Sequence, residues 1–173
     1  RVSGTEFQAE GKLKDQAIQG KIDLLLEMED GAQAVVDMKW GGRKYHREDL
    51  AENRALQLAI YSQMLKKKKG VPHSAYFILS DAVLLAADKK AFRNAYVISP
   101  PDGEPPETLW VRVEKTWDWR RSQLARGVIE VPVEGTEVDP GNPIPEGNLV
   151  AEEDSCAPKE YQALVGWPEG DHA

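Results

Sequence analysis

The stretch "GKIDLLLEMEDGAQAVVDMKW", residues 20–40, decides the fold of this chain. Two apolar runs flank an acidic turn, where the Asp-Gly pair at 30–31 tolerates the positive φ of a tight hairpin. Each run carries an aspartate, Asp23 in the first and Asp37 in the second, and Lys39 follows two residues later. Because charged residues are seldom buried among apolar ones, these three side chains need an explanation.

The alternation of side chains along a strand sorts these residues by face. The apolar residues of one parity in the first run are predicted to form a buried face: Ile18, Ile22, Leu24 and Leu26. Asp23 has the opposite parity, and Asp37 and Lys39 share one face of the second run. Folding the two runs together at the turn brings Asp23 near Asp37, so we expect a small polar hollow beside the core.

Two neighbouring carboxylates repel each other unless a cation separates them or one of them takes up a proton. Carboxylate oxygens are ligands that Mg²⁺ prefers, and a lysine on the same face stabilises negative charge on a nucleophilic water or a phosphate. A single Asp-x-Lys in a strand more often marks a solvated face. The metal-site hypothesis therefore depends on the joint arrangement and not on either aspartate alone.

The rest of the chain predicts an α/β fold with a small mixed β-sheet flanked by helices. Strands are predicted at 5–13, 17–28, 33–40 and 73–80, with a candidate strand at 95–98 inside the ambiguous stretch 81–104. Helices are predicted at 50–69 and 107–126, and residues 41–49 are predicted to be a polar loop. Residues 1–130 form the predicted core, and the Pro- and Gly-rich residues 131–173 form an irregular C-terminal extension.

The composition, 41% hydrophobic and 29% charged, is that of a globular protein. No apolar run approaches the ~18 residues of a membrane helix, so no membrane partner is expected. The one cysteine, Cys156, excludes an intrachain disulfide and makes a cytoplasmic location the expectation. The formal net charge of −7 argues against a plain DNA-binding module, which is usually basic. It argues less against an enzyme whose acidic site binds divalent cations.

Three motifs, in their order along the chain, resemble the PD-(D/E)XK nuclease superfamily and in particular its RecB-like branch. "GKID" contributes Gly20 and Asp23, "VVDMK" contributes Asp37, Met38 and Lys39, and "QLAIY" contributes Gln57 and Tyr61. The four-residue spacing of the last pair places both side chains on one face of a helix. Each motif alone is weak evidence, and the specificity comes from their order and separation. The resemblance implies a restriction-endonuclease-like core.

The resemblance also implies a metal-dependent DNA nuclease, with an exonuclease of recombination or repair as the preferred function. Asp23, Asp37 and the backbone carbonyl of Met38 would bind Mg²⁺ or Mn²⁺. Lys39 would orient the attacking water or stabilise charge at the scissile phosphate. Gln57 and Tyr61 would shape the site and its DNA contact, with a surface amide and a core ring as their respective alternatives. DNA is therefore the expected partner, and a helicase subunit or domain is a second candidate.

Two other functions stay open at this point. A catalytically inactive module that binds nucleic acid or a helicase partner would retain the fold without cleaving DNA. A different metal-dependent hydrolase would use the same carboxylates on other phosphoesters.

The family pattern is incomplete in two places. Relatives supply a His or Glu ahead of the first strand, and Glu6 and Glu10 are the nearest acids here, with solvated strand charge as the alternative. Cys156 matches the first cysteine of an iron–sulfur motif that some relatives carry, but Lys159 and Val165 occupy the next two positions. One thiolate cannot hold a cluster that needs four, so no iron–sulfur cluster is expected.

Two basic segments are candidate contacts for a phosphate backbone. The run "KKKK" at 66–69 ends the predicted motif helix, where cations also suit the helix dipole. The predicted loop after the second apolar run carries Arg43, Lys44, His46 and Arg47, for which a solvated loop is the alternative.

Overall fold

The computed structural model describes residues 1–66, 70–88, 90–100, 104–105, 107–129 and 143–150. In these ranges the chain forms six strands: β1 Val2–Leu13, β2 Gln16–Glu27, β3 Gln33–Lys39, β4 His73–Ile78, β5 Val83–Ala86 and β6 Tyr96–Val97. The helices of the same ranges are α1 Arg43–Ala51, α2 Leu56–Met64 and α3 Glu107–Ala125. None of these helices combines the length and the apolar character needed to cross a bilayer.

The strands form one mixed sheet in the order β1-β2-β3-β4-β5-β6. The first three strands are an antiparallel meander, and β4 pairs parallel with β3 after the chain has passed through α1 and α2. Strand β5 then pairs antiparallel with β4, and β6 pairs parallel with β5. The prediction of a small mixed sheet flanked by helices is confirmed.

Apolar clusters cover both faces of the sheet centre, and each cluster uses one parity of β3. On one face Val35 packs with Ile22 and Leu25 against Tyr61 and Met64 of α2. The other face is built around small residues and one aromatic ring: Ala34, Val36, Ala75, Ala86 and Phe92. A strand covered on both faces is apolar at almost every position, which explains the run "AVV" in β3.

The predicted face of even-numbered residues in β2 is wrong. Ile22 packs in the same cluster as Leu25, whereas Leu24 and Leu26 pack against the opposite face of the sheet. The side-chain alternation therefore shifts between Ile22 and Leu24.

The predicted loop at 41–49 and the predicted helix at 50–69 are also wrong in their bounds. Helix α1 already begins at Arg43, after Gly42 with a φ of 79°. It ends before Asn53, which takes a left-handed φ of 49°. The Asn53 side-chain amide holds this break because it donates hydrogen bonds to Thr108 Oγ1 at 2.8 Å and Glu104 Oε2 at 3.1 Å. Helix α2 then starts at Leu56 and ends at Met64.

The helix predicted at 107–126 is confirmed as α3, and the candidate strand at 95–98 as the short β6. Strand β5 lies in the stretch that the sequence left ambiguous. The chain divides into two compact units, residues 1–114 and residues 115–173. In the second unit the Leu149 amide donates to Thr116 Oγ1 at 2.7 Å. Lys67–Lys69, the predicted domain boundary at 130/131, residues 131–142 and the segment with Cys156, Lys159 and Val165 lie outside the described residues.

Candidate active site

The two aspartates of the opening motif lie where β2 and β3 stop pairing. The ladder between these strands runs from Glu27–Gln33 to Leu24–Val36. Asp23 and Asp37 are the next residues in the same register, so they face each other across the open end of the ladder. The carboxylate of Asp23 replaces a backbone partner there, because its Oδ2 accepts the Met38 N–H at 2.8 Å.

The backbone of Met38 faces the same gap. Within a strand the N–H and C=O of one residue point to the same side, and the Met38 N–H points to Asp23. The Met38 carbonyl therefore also points toward β2, beyond the last pair of the ladder. This gives the gap three oxygen-bearing groups: two carboxylates and one carbonyl.

Asp37 is the buried member of the pair, with 1% of its surface exposed. Its Oδ2 lies 2.9 Å from Lys39 Nζ, which is ion-pairing distance but not hydrogen-bond geometry. Burial raises the pKa of Asp37 above its usual range, and the neighbouring Asp23 charge acts in the same direction. The contact with Lys39 opposes this rise but does not cancel it. The charged form of Asp37 is thus short of positive partners.

Lys39 connects Asp37 to the second helix. Its ammonium donates to Gln57 Oε1 at 2.8 Å, and the Gln57 amide donates to the Tyr61 hydroxyl at 3.1 Å. The Tyr61 ring packs in the apolar cluster of Ile22 and Val35. The ring packing agrees with the core alternative for Tyr61, and its hydroxyl accepts a hydrogen bond from Gln57. A continuous polar chain across one face of the sheet is thus formed by four side chains: Asp37, Lys39, Gln57 and Tyr61.

Gly20 makes room for this arrangement. A Cβ at this position would lie 2.8 Å from Tyr61 Cε1 and 3.3 Å from Met64 Cε. No real side chain tolerates the first distance without a shift of the ring. The glycine of "GKID" is thus explained by the close approach of α2 to β2.

A second group of residues, which the sequence did not predict, lies beside the polar chain that runs from Asp37 through Lys39 and Gln57 to Tyr61. His46, on α1, stacks on Tyr76 with ring centroids 4.6 Å apart, and its Nδ1 lies 3.6 Å from the buried Asp49 carboxylate. Tyr76 is paired with Asp37 in the parallel register, and its ring centroid lies 6.0 Å from Lys39 Nζ. The i, i+3 spacing of His46 and Asp49 would have revealed their contact had residues 43–51 been interpreted as a helix.

Burial governs the protonation of this group. It lowers the pKa of His46. The nearby Lys39 charge also lowers this pKa, whereas the Asp49 carboxylate raises it. It raises the pKa of Tyr76, with further contributions from the Asp49 and Asp37 charges. A lowered imidazole pKa and a raised phenol pKa both favour the neutral forms. The two rings beside Lys39, those of His46 and Tyr76, therefore favour their uncharged forms, and Asp49 is the charged member of this group.

The predicted additional acids lie elsewhere on the sheet. Glu6 forms an exposed ion pair with Lys21 at 3.0 Å, and Glu10 is exposed on β1. Neither joins Asp23 and Asp37, because in the described ranges no three His, Cys, Asp or Glu side chains are placed to hold a metal ion. A cavity of about 280 Å³ lies between α2, the start of β4 and the start of α3, and none of the predicted site residues lines it.

The donor set at the end of β2–β3 nevertheless fits a hard divalent cation. Mg²⁺ takes one or two protein carboxylates and keeps several waters, so two aspartates and a carbonyl suffice. The buried Asp37 Oδ2 accepts no hydrogen bond with good geometry, which is the condition that a cation would relieve. The fit concerns hard divalent cations as a class.

Two comparisons with known proteins bear on this site. A family model described as the PD-(D/E)XK nuclease superfamily matches residues 1–145. This match contains strands β1–β6, helices α1–α3 and every residue of the candidate site, and the mixed sheet with these helices is the restriction-endonuclease-like α/β fold. No curated protein sequence matches the chain.

Proposed function

Because the chain belongs to the PD-(D/E)XK nuclease superfamily, we propose that it hydrolyses phosphodiester bonds of DNA with the help of a bound divalent cation. The observation that supports this most directly is the open end of the β2–β3 ladder. There a buried Asp37 with a raised pKa faces Asp23 and contacts Lys39.

Each residue of the site has a chemical role in this proposal. Asp23, Asp37 and the Met38 carbonyl would hold Mg²⁺ or Mn²⁺. When bound, such an ion polarises the phosphate and lowers the pKa of a water ligand. The Lys39 ammonium stabilises negative charge at the scissile phosphate or orients the attacking water. Gln57 fixes the position of this ammonium, and Tyr61 fixes Gln57.

The RecB-like order of the three motifs supports a finer proposal. We infer an exonuclease of DNA recombination or repair that acts beside a helicase subunit or domain. A chain with a formal charge of −7 binds a polyanion poorly by charge alone, so a partner that delivers a DNA end suits this composition.

A cleavage assay tests the proposal. The protein is mixed with linear and with closed circular DNA in Mg²⁺, in Mn²⁺ and in EDTA, and the Asp37→Asn variant is the matched control. We expect degradation of linear DNA in either metal, none in EDTA and none with the variant, and an exonuclease leaves the circle intact.

Other outcomes separate the alternatives. Equal cleavage by the variant indicates a contaminating nuclease. Binding to DNA without cleavage in either metal supports the inactive module. Hydrolysis of small phosphoesters but not of DNA supports a different metal-dependent hydrolase.

A further inference from the structure

Trp40 is exposed to an unusual degree for its residue type. It follows Lys39 directly, and 81% of its surface is exposed. The three other tryptophans in the described part of the chain, Trp110, Trp117 and Trp119, are half-buried. Tryptophan is on average a strongly buried residue, and exposed apolar side chains that cluster mark contact surfaces.

The backbone that carries Trp40 is held firmly. Its carbonyl accepts the Ser80 N–H at 2.9 Å, and the Lys39 carbonyl accepts the Leu79 N–H at 2.8 Å. These two bonds tie the end of β3 and the bend at Trp40 to the turn that follows β4. Trp40 follows Lys39 directly, with consecutive Cα atoms about 3.8 Å apart, so the Trp40 ring and the Lys39 ammonium are both carried at the end of β3.

The segment after Trp40 adds positive charge and further aromatic surface. Residues 40–47 contain three cations and no acid, in a chain whose net charge is −7. Tyr45 and Tyr96 are both more than half exposed, and the Arg43 guanidinium stacks on the Tyr96 ring at 4.9 Å. Cations interleaved with exposed aromatic rings are the pattern by which proteins hold single-stranded nucleic acid.

We propose that Trp40 is a stacking platform for an unpaired base next to the phosphate at Lys39. The substrate class is then single-stranded DNA or the frayed end of a duplex. This inference rests on the proposed function, because it assumes that a DNA phosphate reaches Lys39. Bases inside a duplex already stack on each other, so only an unpaired or terminal base offers its face to the ring. The cations of residues 43–47 attract the neighbouring phosphates.

Binding in EDTA tests this inference separately from cleavage. Fluorescence anisotropy is measured with a labelled single strand of about 16 nucleotides, the same strand with abasic sites, and a hairpin duplex without loose ends. The variants are Trp40→Ala and Trp40→Phe, and circular dichroism checks that both fold. Because Trp40 is a surface residue, neither variant should lose structure.

We expect Trp40→Ala to weaken single-strand binding roughly 5- to 100-fold and Trp40→Phe by less than about threefold, since a phenyl ring still stacks. Duplex binding should change by less than about twofold in either variant. The abasic strand should bind the wild type as weakly as the intact strand binds Trp40→Ala.

Unchanged single-strand binding by Trp40→Ala overturns the inference, and so does an equal loss on single strand and duplex. Loss of self-association in sedimentation, with DNA binding intact, assigns the ring to a protein contact and overturns it too. If Trp40-dependent binding persists while no metal supports cleavage, only the proposed nuclease function fails. If cleavage is normal and Trp40→Ala leaves single-strand binding unchanged, only this inference fails.

Discussion

Two carboxylates at different ends of the sheet each lie beside a basic side chain and differ in almost every other respect. Asp37 lies 2.9 Å from Lys39 at the carboxyl end of β3, and Asp88 lies 3.1 Å from His73, which starts β4. Burial dominates at Asp37 and its pKa is raised. At Asp88 partial burial acts to raise the pKa. Hydrogen bonds with His73 and the Lys90 N–H, together with the electrostatic effects of these two residues, outweigh burial, so the pKa is lowered. Proximity to a basic side chain therefore does not tell which carboxylate is stable as an anion.

The difference lies in hydrogen bonds and solvent. The Asp88 side chain is 43% exposed and accepts the Lys90 N–H at 2.7 Å. Asp37 is almost fully buried, and its Oδ2 accepts no well-directed hydrogen bond. A buried charge with too few partners costs stability, and folds retain such charges where function requires them. We therefore propose a structural role for the pair at Asp88 and a chemical role for the pair at Asp37.

Matched isosteric substitutions give the largest expected contrast between the two pairs. Asp37→Asn should lower the rate of DNA cleavage at least about 10³-fold, because a metal ligand supplies several kcal/mol of transition-state stabilisation. Asp88→Asn should leave the rate within about twofold. Initial rates in Mg²⁺ at equal concentrations of folded protein measure both. Similar losses in the two variants would remove the distinction between the pairs.

Metal binding should stabilise the wild type and the Asp88 variant but not the Asp37 variant. A ligand at about 100 times its Kd stabilises the native state by about 2.7 kcal/mol, so saturating Mn²⁺ should raise the melting temperature of the wild type by several degrees. Asp88→Asn should show the same rise and Asp37→Asn none. Without metal, Asp37→Asn should be at least as stable as the wild type near neutral pH, because an anion with a raised pKa opposes folding there. Differential scanning fluorimetry with and without EDTA measures these shifts. A metal-dependent rise retained by Asp37→Asn would place the cation elsewhere.

The sequence predicted which residues lie together at the candidate site because short-range patterns fix their positions. A tight turn aligned Asp23 with Asp37, strand parity put Lys39 beside Asp37, and helical spacing joined Gln57 to Tyr61. These rules act over a few residues. The mixed sheet was also predicted, and its parallel pair of β3 with β4 is joined through the two helices α1 and α2.

The parts that failed depend on contacts between distant residues. The break between α1 and α2 is held by Asn53, whose partners Glu104 and Thr108 lie more than 50 residues away. The shift of alternation in β2 occurs beside the positive φ of Glu6 in a neighbouring strand. Tyr76 comes near Lys39 only through the register of β3 with β4. No pattern within a short window encodes such contacts.

A third prediction concerns the packing that supports the site end of the sheet. Gly20→Ala places a methyl group 2.8 Å from the Tyr61 ring, so the ring must shift, and with it the hydroxyl that accepts from Gln57. We expect a loss of about 1–3 kcal/mol in the free energy of unfolding from overpacking. Loss of the Gln57–Tyr61 bond, worth about 1 kcal/mol, should lower cleavage about fivefold. Urea unfolding and initial rates measure the two effects.

The matched control for this change is Gly41→Ala. Its Cβ would lie 3.7 Å from Ser80 Oγ, an ordinary contact, so unfolding free energy should change by less than about 1 kcal/mol. Equal stability of Gly20→Ala and Gly41→Ala would show that the approach of α2 to β2 is looser than the distances indicate.

The smallest effect is expected at the structural pair, and it depends on pH. The pKa of Asp88 in the folded state lies below its usual value of 3.8, so its charged form favours folding. That contribution is present above pH 3.8 and is lost as the pH falls through the folded-state pKa. Because the side chain is partly exposed, Asp88→Asn should cost only about 0.5–1 kcal/mol at pH 7. Urea unfolding at pH 7, 5 and 3 should show the wild type and the variant converging at the lowest pH, while exposed Glu29→Gln changes little at any pH. A difference that instead grows toward pH 3 would mean that the protonated form of Asp88 is the stabilising one, and the contrast with Asp37 would disappear.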